Sequence, residues 1–194
     1  MDYCSLREDA KHNHIPTLRD QSSLFLAKIV KEKNPKTILE FGTAIGLSAI
    51  NMLTNSDATI ETIELDKERA NQAEINLKKF GFDKRAKVYV GDALVVSNEF
   101  VKEKKKFDFI FLDCAKGQYI KLLPNIIKLL NANGTLVADN VLFRGYVKSD
   151  NFPRRFKTIV TRLREFNNEV INSKEFYDAK IVEVEDGIMV AIKR

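Results

Sequence analysis

Apolar residues along this chain fall into short continuous runs separated by stretches with helical spacing. Thr37-Ile38-Leu39-Glu40-Phe41, Thr59-Ile60-Glu61-Thr62-Ile63-Glu64 and Phe107-Asp108-Phe109-Ile110-Phe111-Leu112 read as strands that bury both faces. With weaker runs at 86–90 and 135–138 they make five strands. Segments 46–54, 67–80, 93–103 and 119–130 alternate with them as helices. Leu18, Leu26, Ile29 and Val30 share one helical face and predict a helix over Thr17–Lys33, ended by Asn34-Pro35. Asp66 is placed to cap the helix that begins at Lys67, Gly81 closes that helix, and Asn133-Gly134 turns the chain into the fifth strand. Beyond Pro153 a helical pattern runs to about Asn172. Lys180–Val184 and Ile188–Ile192 then flank Glu185-Asp186-Gly187, which predicts an antiparallel hairpin.

The alternation predicts an α/β fold, a Rossmann-like doubly wound sheet of seven strands, mostly parallel and finished by a C-terminal antiparallel hairpin. A length of 194 residues suits one domain over 1–194. Residues 1–14 match no element and are read as a solvated leader, with no role for His12 or His14.

Composition excludes several classes. Hydrophobic residues make up 44% and charged residues 30%, as in globular chains. No apolar run approaches a membrane span, and the N-terminus lacks the apolar centre of a signal peptide, so cytoplasm is the expected location. Cys4 and Cys114 are too few for a disulfide framework or a zinc site. The net charge of +5 says little by itself. Its distribution says more. Between Arg144 and Arg164 seven basic residues (Arg144, Lys148, Arg154, Arg155, Lys157, Arg162, Arg164) face one acid, Asp150. That stretch suits phosphate contact or, equally, a solvated helix face.

The turn Glu40-Phe41-Gly42-Thr43-Ala44-Ile45-Gly46 joins the first strand to the next helix, and the second strand ends on Glu64. Glycines let backbone approach a ligand, and an acid at a strand end accepts hydrogen bonds from a ribose. The spacing is Glu-x-Gly-x-x-x-Gly, not the Gly-x-Gly-x-x-Gly of pyrophosphate binders. Glu40 adds negative charge where a phosphate would need none, so a cationic nucleoside such as S-adenosylmethionine (SAM) fits better. A parallel sheet finished by an antiparallel pair is, by fold analogy, the architecture of SAM methyltransferases rather than nicotinamide dehydrogenases. The turn assigns Glu40, Gly42, Thr43, Gly46, Ser48 and Glu64 to cofactor binding.

Two more strands run into acids, at Asp113 and at Asp139-Asn140. Two carboxylates and an amide oxygen suit a hard divalent ion such as Mg²⁺. Lys116 follows Asp113 by three residues; beside a metal and a cationic cofactor its pKa is expected to fall, which would equip it as a general base.

Phe111-Leu112-Asp113-Cys114-Ala115-Lys116-Gly117-Gln118-Tyr119, followed by Ala138-Asp139-Asn140-Val141, resembles the metal-dependent O-methyltransferases of the catechol and caffeoyl-coenzyme A type. The resemblance covers about residues 15 to 194. It implies Mg²⁺ at Asp113, Asp139 and Asn140, a base at Lys116, ribose at Glu64 and adenine near Gly91-Asp92-Ala93, with Asp92, Ala93 and Asp113 also facing the cofactor. The chain departs from the catechol enzymes in having Cys114 where they have histidine, and it contains no tryptophan. It is similar also to a bacterial branch, the tRNA 5-hydroxyuridine methyltransferases, through Asp139-Asn140-Val141-Leu142-Phe143-Arg144-Gly145 and Arg154-Arg155-Phe156.

That branch implies methylation of the wobble uridine 5-hydroxyl in a tRNA anticodon loop, a homodimer, and RNA contact through Arg144, Lys148, Arg154 and Arg155. No DNA or membrane partner is expected. Whether Tyr119 or Phe143 stacks on a base stays open. Two alternatives stand beside this reading: an O-methyltransferase for small catechol or caffeoyl-coenzyme A-like acceptors, and an RNA-binding relative without catalysis.

Overall fold

The computed structural model describes residues 2–13 and 15–194. Met1 and His14 lie outside the described residues. Strands β1 (Thr37–Phe41), β2 (Thr59–Glu64), β3 (Ala86–Val90), β4 (Phe107–Leu112) and β5 (Leu130–Ala138) pair in parallel. The remaining strands, β6 (Phe176–Val182) and β7 (Ile188–Lys193), complete one sheet in the order β3-β2-β1-β4-β5-β7-β6. β7 runs antiparallel to both β5 and β6. The doubly wound sheet with its antiparallel end is the expected architecture.

Helices cover both faces. On one face α1 (Tyr3–His12), α2 (Asp20–Lys33) and α3 (Leu47–Thr54), with Leu77 of α4 (Lys67–Lys79), pack on Ile38, Ile60, Phe109, Phe111 and Val137. On the other, α5 (Ala93–Lys102), α6 (Tyr119–Leu129) and α7 (Lys157–Asn172) pack on Leu39, Phe41, Ile110, Leu112 and Leu136. Successive strand residues point to opposite faces, so the unbroken apolar runs are what a sheet covered on both sides requires. Each of these fully buried side chains contributes about 1.5–3 kcal/mol.

Most boundaries agree with the sequence reading. Asp66 accepts a hydrogen bond from the Arg69 N–H at 3.0 Å, and Gly81 follows α4 with φ of +77°. Three differences matter. The supposed leader contains α1, which buries Leu6 and Ala10 and whose Arg7 donates to the Leu18 carbonyl at 2.6 Å. Its apolar positions are too few to show as a periodicity. Second, α2 begins at Asp20 rather than Thr17, leaving 16–19 outside any helix or strand. Third, β5 starts at Leu130, and the Asn133-Gly134 turn becomes an irregularity where the register jumps between Phe107 and Phe109.

The hairpin loop also differs. Five residues, 183–187, separate β6 from β7, wider than an Asp-Gly turn alone. Gly187 has φ of +78°, and a Cβ there would overlap the Leu142 side chain. The loop accepts backbone hydrogen bonds from Val141 and Leu142 and so pins the chain leaving β5. The carboxyl ends of β1, β2, β4 and β5 converge on one crevice, as parallel order dictates.

Candidate active site

The crevice is a cavity of about 550 Å³. Gly42, Thr43, Ser48, Glu64, Asp92, Ala93, Asp113, Lys116, Asp139 and Asn140 all line it. Local structure explains why they meet. The Asp113 N–H donates to the Phe41 carbonyl at 2.9 Å and the Asp139 N–H to the Leu112 carbonyl at 3.0 Å, so the tips of β1, β4 and β5 continue their ladders past the sheet. Gly42 permits that closeness: a Cβ on it would lie 2.7 Å from the Asp113 carbonyl oxygen, and its φ of +94° is one that L side chains rarely adopt. The Tyr119 hydroxyl, fully buried, lies 2.9 Å from the Leu112 carbonyl and 3.1 Å from that of Asp139. Tyr119 therefore staples two strand tips and is not available to stack on a base.

On the β2 side, Glu64 accepts from the Ala44 N–H at 2.8 Å and from the Asp66 N–H at 3.0 Å. These bonds fix its carboxylate against the glycine turn while each oxygen keeps a further lone pair. Asp92 caps α5 through the Leu94 and Val95 N–H groups.

On the β4 and β5 side, Lys116 donates to Asp113 at 2.6 Å. The Asn140 amide donates to Asp139 Oδ2 at 2.7 Å, and its carbonyl oxygen takes no part in that bond. Asp139 is 3% exposed, and its Oδ1 has no hydrogen-bond partner. Its carboxyl is pushed up to about 7, first by burial and then by the Asp113 charge, with Lys116 opposing. A buried carboxylate oxygen left without a partner is costly. Among the described residues no three His, Cys, Asp or Glu side chains gather as a ready metal cluster. The donor set is two carboxylates plus an amide, with room for solvent and substrate oxygens, and that set fits a hard divalent cation.

Several expectations need correction. Glu40 does not touch the cavity. It is fully buried beneath the glycine turn, where it accepts hydroxyl bonds from Thr43 at 2.8 Å, Thr62 at 2.5 Å and Ser48. Burial pushes its carboxyl up to about 7 against the pull of those hydroxyls. Gly46 is not a lining residue either; it caps α3 with φ of +89° and brings that helix against Ala73. The expected fall in the Lys116 pKa is absent: burial works to lower it, but the charge and hydrogen bond of Asp113, with Asp139 and Cys114 adding to them, together outweigh burial and the net direction is up. Lys116 is an ammonium held on the Asp113 carboxylate. Cys114 is half-buried at the cavity wall, and desolvation pushes its thiol up to about 12, which disfavours the thiolate.

Arg144, Lys148, Arg154 and Arg155 are exposed and stand outside the cavity wall. Lys148 pairs with Glu183, while Arg164 donates to the Val147 and Ser149 carbonyls and holds the loop in place. Arg144 and Arg155 lie over the Phe156 ring at 5.7 and 4.8 Å, and Phe156 stacks on Tyr146 with 5.7 Å between ring centroids. Phe143 is tied edge-on into the same group.

Sequence reasoning missed the strap at 16–19, where Pro16, Thr17, Leu18 and Arg19 close one wall. Arg19 pairs with Asp186 at 3.1 Å, and Glu185 accepts from the Ser22 N–H and hydroxyl at 2.9 and 2.7 Å. No local signal reports a contact across more than 160 residues. Leu65, 70% exposed at the cavity rim beside Glu64, had a signal in being apolar at a strand end.

Known proteins resemble the chain throughout its length. The profile of a family described as O-methyltransferase matches residues 4–194. A caffeoyl-CoA O-methyltransferase from Medicago sativa is 33% identical over 150 residues, 73% of this chain and 60% of that protein. A catechol O-methyltransferase from Niastella koreensis is 28% identical over 176 residues, 87% of this chain and 78% of the other. The chain thus spans between three fifths and four fifths of these two curated relatives. A solved structure described as a putative caffeoyl-CoA O-methyltransferase from Staphylococcus aureus superposes with a TM-score of 0.90 at 28% identity, covering 100% of this chain and 93% of that one. Among the described residues no helix is long and apolar enough to cross a membrane. With its fold, its crevice and this match over residues 4–194, the chain belongs to the O-methyltransferase family of SAM-dependent enzymes.

Proposed function

We propose that this protein transfers the methyl group of SAM to an acceptor that offers two adjacent oxygens, and that a divalent cation such as Mg²⁺ assists at Asp113, Asp139 and Asn140. The observation that carries this reading is the orphaned Oδ1 of Asp139, buried at the cavity wall beside a second carboxylate. A small catechol or hydroxycinnamoyl thioester is the acceptor class favoured, in line with the catechol and caffeoyl-CoA O-methyltransferases among the relatives.

A cation held there would lower the pKa of the acceptor hydroxyl and neutralise the two carboxylates. SAM supplies an activated methyl on a sulfonium. The chain's own groups do the rest. Glu64 holds the ribose, its carboxylate kept in register by the Ala44 and Asp66 amides. Lys116, an ammonium on Asp113, is placed to stabilise the developing oxyanion. The strap at 16–19 and the wall at Ser48 limit water and align donor with acceptor, so positioning supplies much of the acceleration.

A second reading is favoured by one observation. The exposed Arg144 and Arg155 laid over an aromatic group suit phosphate and base contact, which supports 5-hydroxyuridine in a tRNA anticodon loop as the acceptor. Its 5-hydroxyl and neighbouring carbonyl also form an adjacent oxygen pair. The non-catalytic alternative finds no support in a chain that retains Asp113, Lys116, Asp139 and Asn140 together. The experiment is incubation with methyl-labelled SAM and catechol, caffeoyl-coenzyme A or bulk tRNA, with and without EDTA. Label in a small acceptor that disappears with EDTA is expected. Label in tRNA alone replaces the first reading by the second, and full transfer in excess EDTA removes the cation.

A further inference from the structure

Glu40 is a fully buried acid that none of the steps above uses. It sits on β1 opposite Thr62 of β2, on a sheet face otherwise built of Ile38, Ile60 and Phe111. Three hydroxyls converge on it, and no ammonium or guanidinium is among its partners. Two of the three, Thr43 and Ser48, also line the cavity.

That arrangement has a polarity. A hydroxyl carries one proton and two acceptor lone pairs. Thr43 and Ser48 direct their protons inward to Glu40, so what they leave for the cavity is lone pairs. Behind them, one hydroxyl layer away, lies a carboxylate in a low-dielectric setting where its field is little screened. Such a wall favours a cation and gives nothing extra to a neutral group of the same shape. The substrate and product of methyl transfer from SAM differ in that respect: the sulfonium loses its charge and becomes the thioether of S-adenosylhomocysteine (SAH).

We propose that Glu40 is a positioning residue that acts through Thr43 and Ser48 to make the cavity prefer the sulfonium donor over its thioether product, and so to favour product release. The inference rests on the use of SAM that family membership carries; it is independent of the acceptor and of the cation.

Calorimetric titration of SAM and SAH into the unmodified protein and Glu40→Gln, at a pH well above 7 where Glu40 is ionised, tests it. Glutamine keeps the shape and one acceptor oxygen while removing the charge, and its amide nitrogen donates where the second carboxylate oxygen accepted. The ratio of the Kd for SAM to that for SAH is expected to rise about tenfold, with the SAH value changing less than about threefold. Effects through the ammonium, carboxylate, ribose and adenine that both ligands share cancel in that ratio. Equal shifts for both ligands, or no shift for either, overturn the proposal, because a purely structural role moves both alike. Thr62→Val approaches the carboxylate from the side away from the cavity and decides the matter should Glu40→Gln fail to fold. It removes one stabilising donor, and the same ratio is expected to rise about threefold; an unchanged ratio overturns the proposal. If the unmodified protein binds neither ligand, the cofactor assignment fails, and this inference with it.

Discussion

Two buried carboxylates, one behind the crevice and one in its wall, have the same displaced acidity and opposite surroundings. Glu40, under the glycine turn, and Asp139, at the tip of β5, are each pushed by burial to about 7. Glu40 has three hydroxyl donors; Asp139 keeps an oxygen with none. The first is a finished piece of structure, its oxygens already taken by hydroxyls and out of a ligand's reach. The second is unfinished without a further partner, which is how a ligand site differs from a buried acid that holds a turn together.

The sharpest way to break this contrast is to remove each group in turn. Asp139→Ala is expected to lower kcat roughly 10³-fold, with the SAM Kd little changed, as read by turnover and calorimetry. A loss below tenfold would put Asp139 on the structural side with Glu40. Lys116→Ala comes next, with a fall in kcat of about 10²-fold and no comparable rise in the KM for SAM.

Stability against pH separates the two acids without any acceptor. For Glu40 the folded carboxyl, at about 7, lies above the ordinary 4.5. The folded protein therefore retains a proton that the unfolded chain gives up. Its contribution is greatest below about 4.5 and is lost as pH rises toward 7, by up to about 3 kcal/mol. Asp139 acts in the same direction, with Asp113 raising and Lys116 lowering its value. Urea unfolding at pH 5 and pH 7.5 is expected to show this decline. Glu40→Gln should flatten one part of it, and added Mg²⁺ only the part that belongs to Asp139. The smallest effect is expected at Arg19→Ala, which breaks a half-exposed ion pair with Asp186. Thermal unfolding should register about 0.5 kcal/mol, while the KM for SAM rises a few-fold because the strap loosens.

Much of the cavity was legible because its residues follow strands. Glu64 ends a strand and Gly42, Asp92, Asp113 and Asp139 lie just past one, and a parallel sheet carries every such position to one edge. Glu40 and Gly46 were misplaced because spacing names the turn and not the direction in which a side chain leaves it. Glu40 belongs to the strand itself, one step before the tip, so the pleat turns it into the helix-covered face with Thr62. Charge counting told still less. Arg164 and Lys148 belong to the same basic stretch as Arg144, yet they brace the loop while Arg144 stays at the surface.

By itself the chain determined its element order, its doubly wound sheet and the set of acids at strand tips, since periodicity and turn residues act over a few neighbours. Only the tertiary structure decided that α1 packs into the core, that the strap at 16–19 closes a wall, that Glu40 is caged and that Asp139 is left with a bare oxygen. Those outcomes depend on which distant segments meet and which donors they bring, as when Ser22 and Arg19 reach Glu185 and Asp186, and burial sets the cost of every donor that is missing.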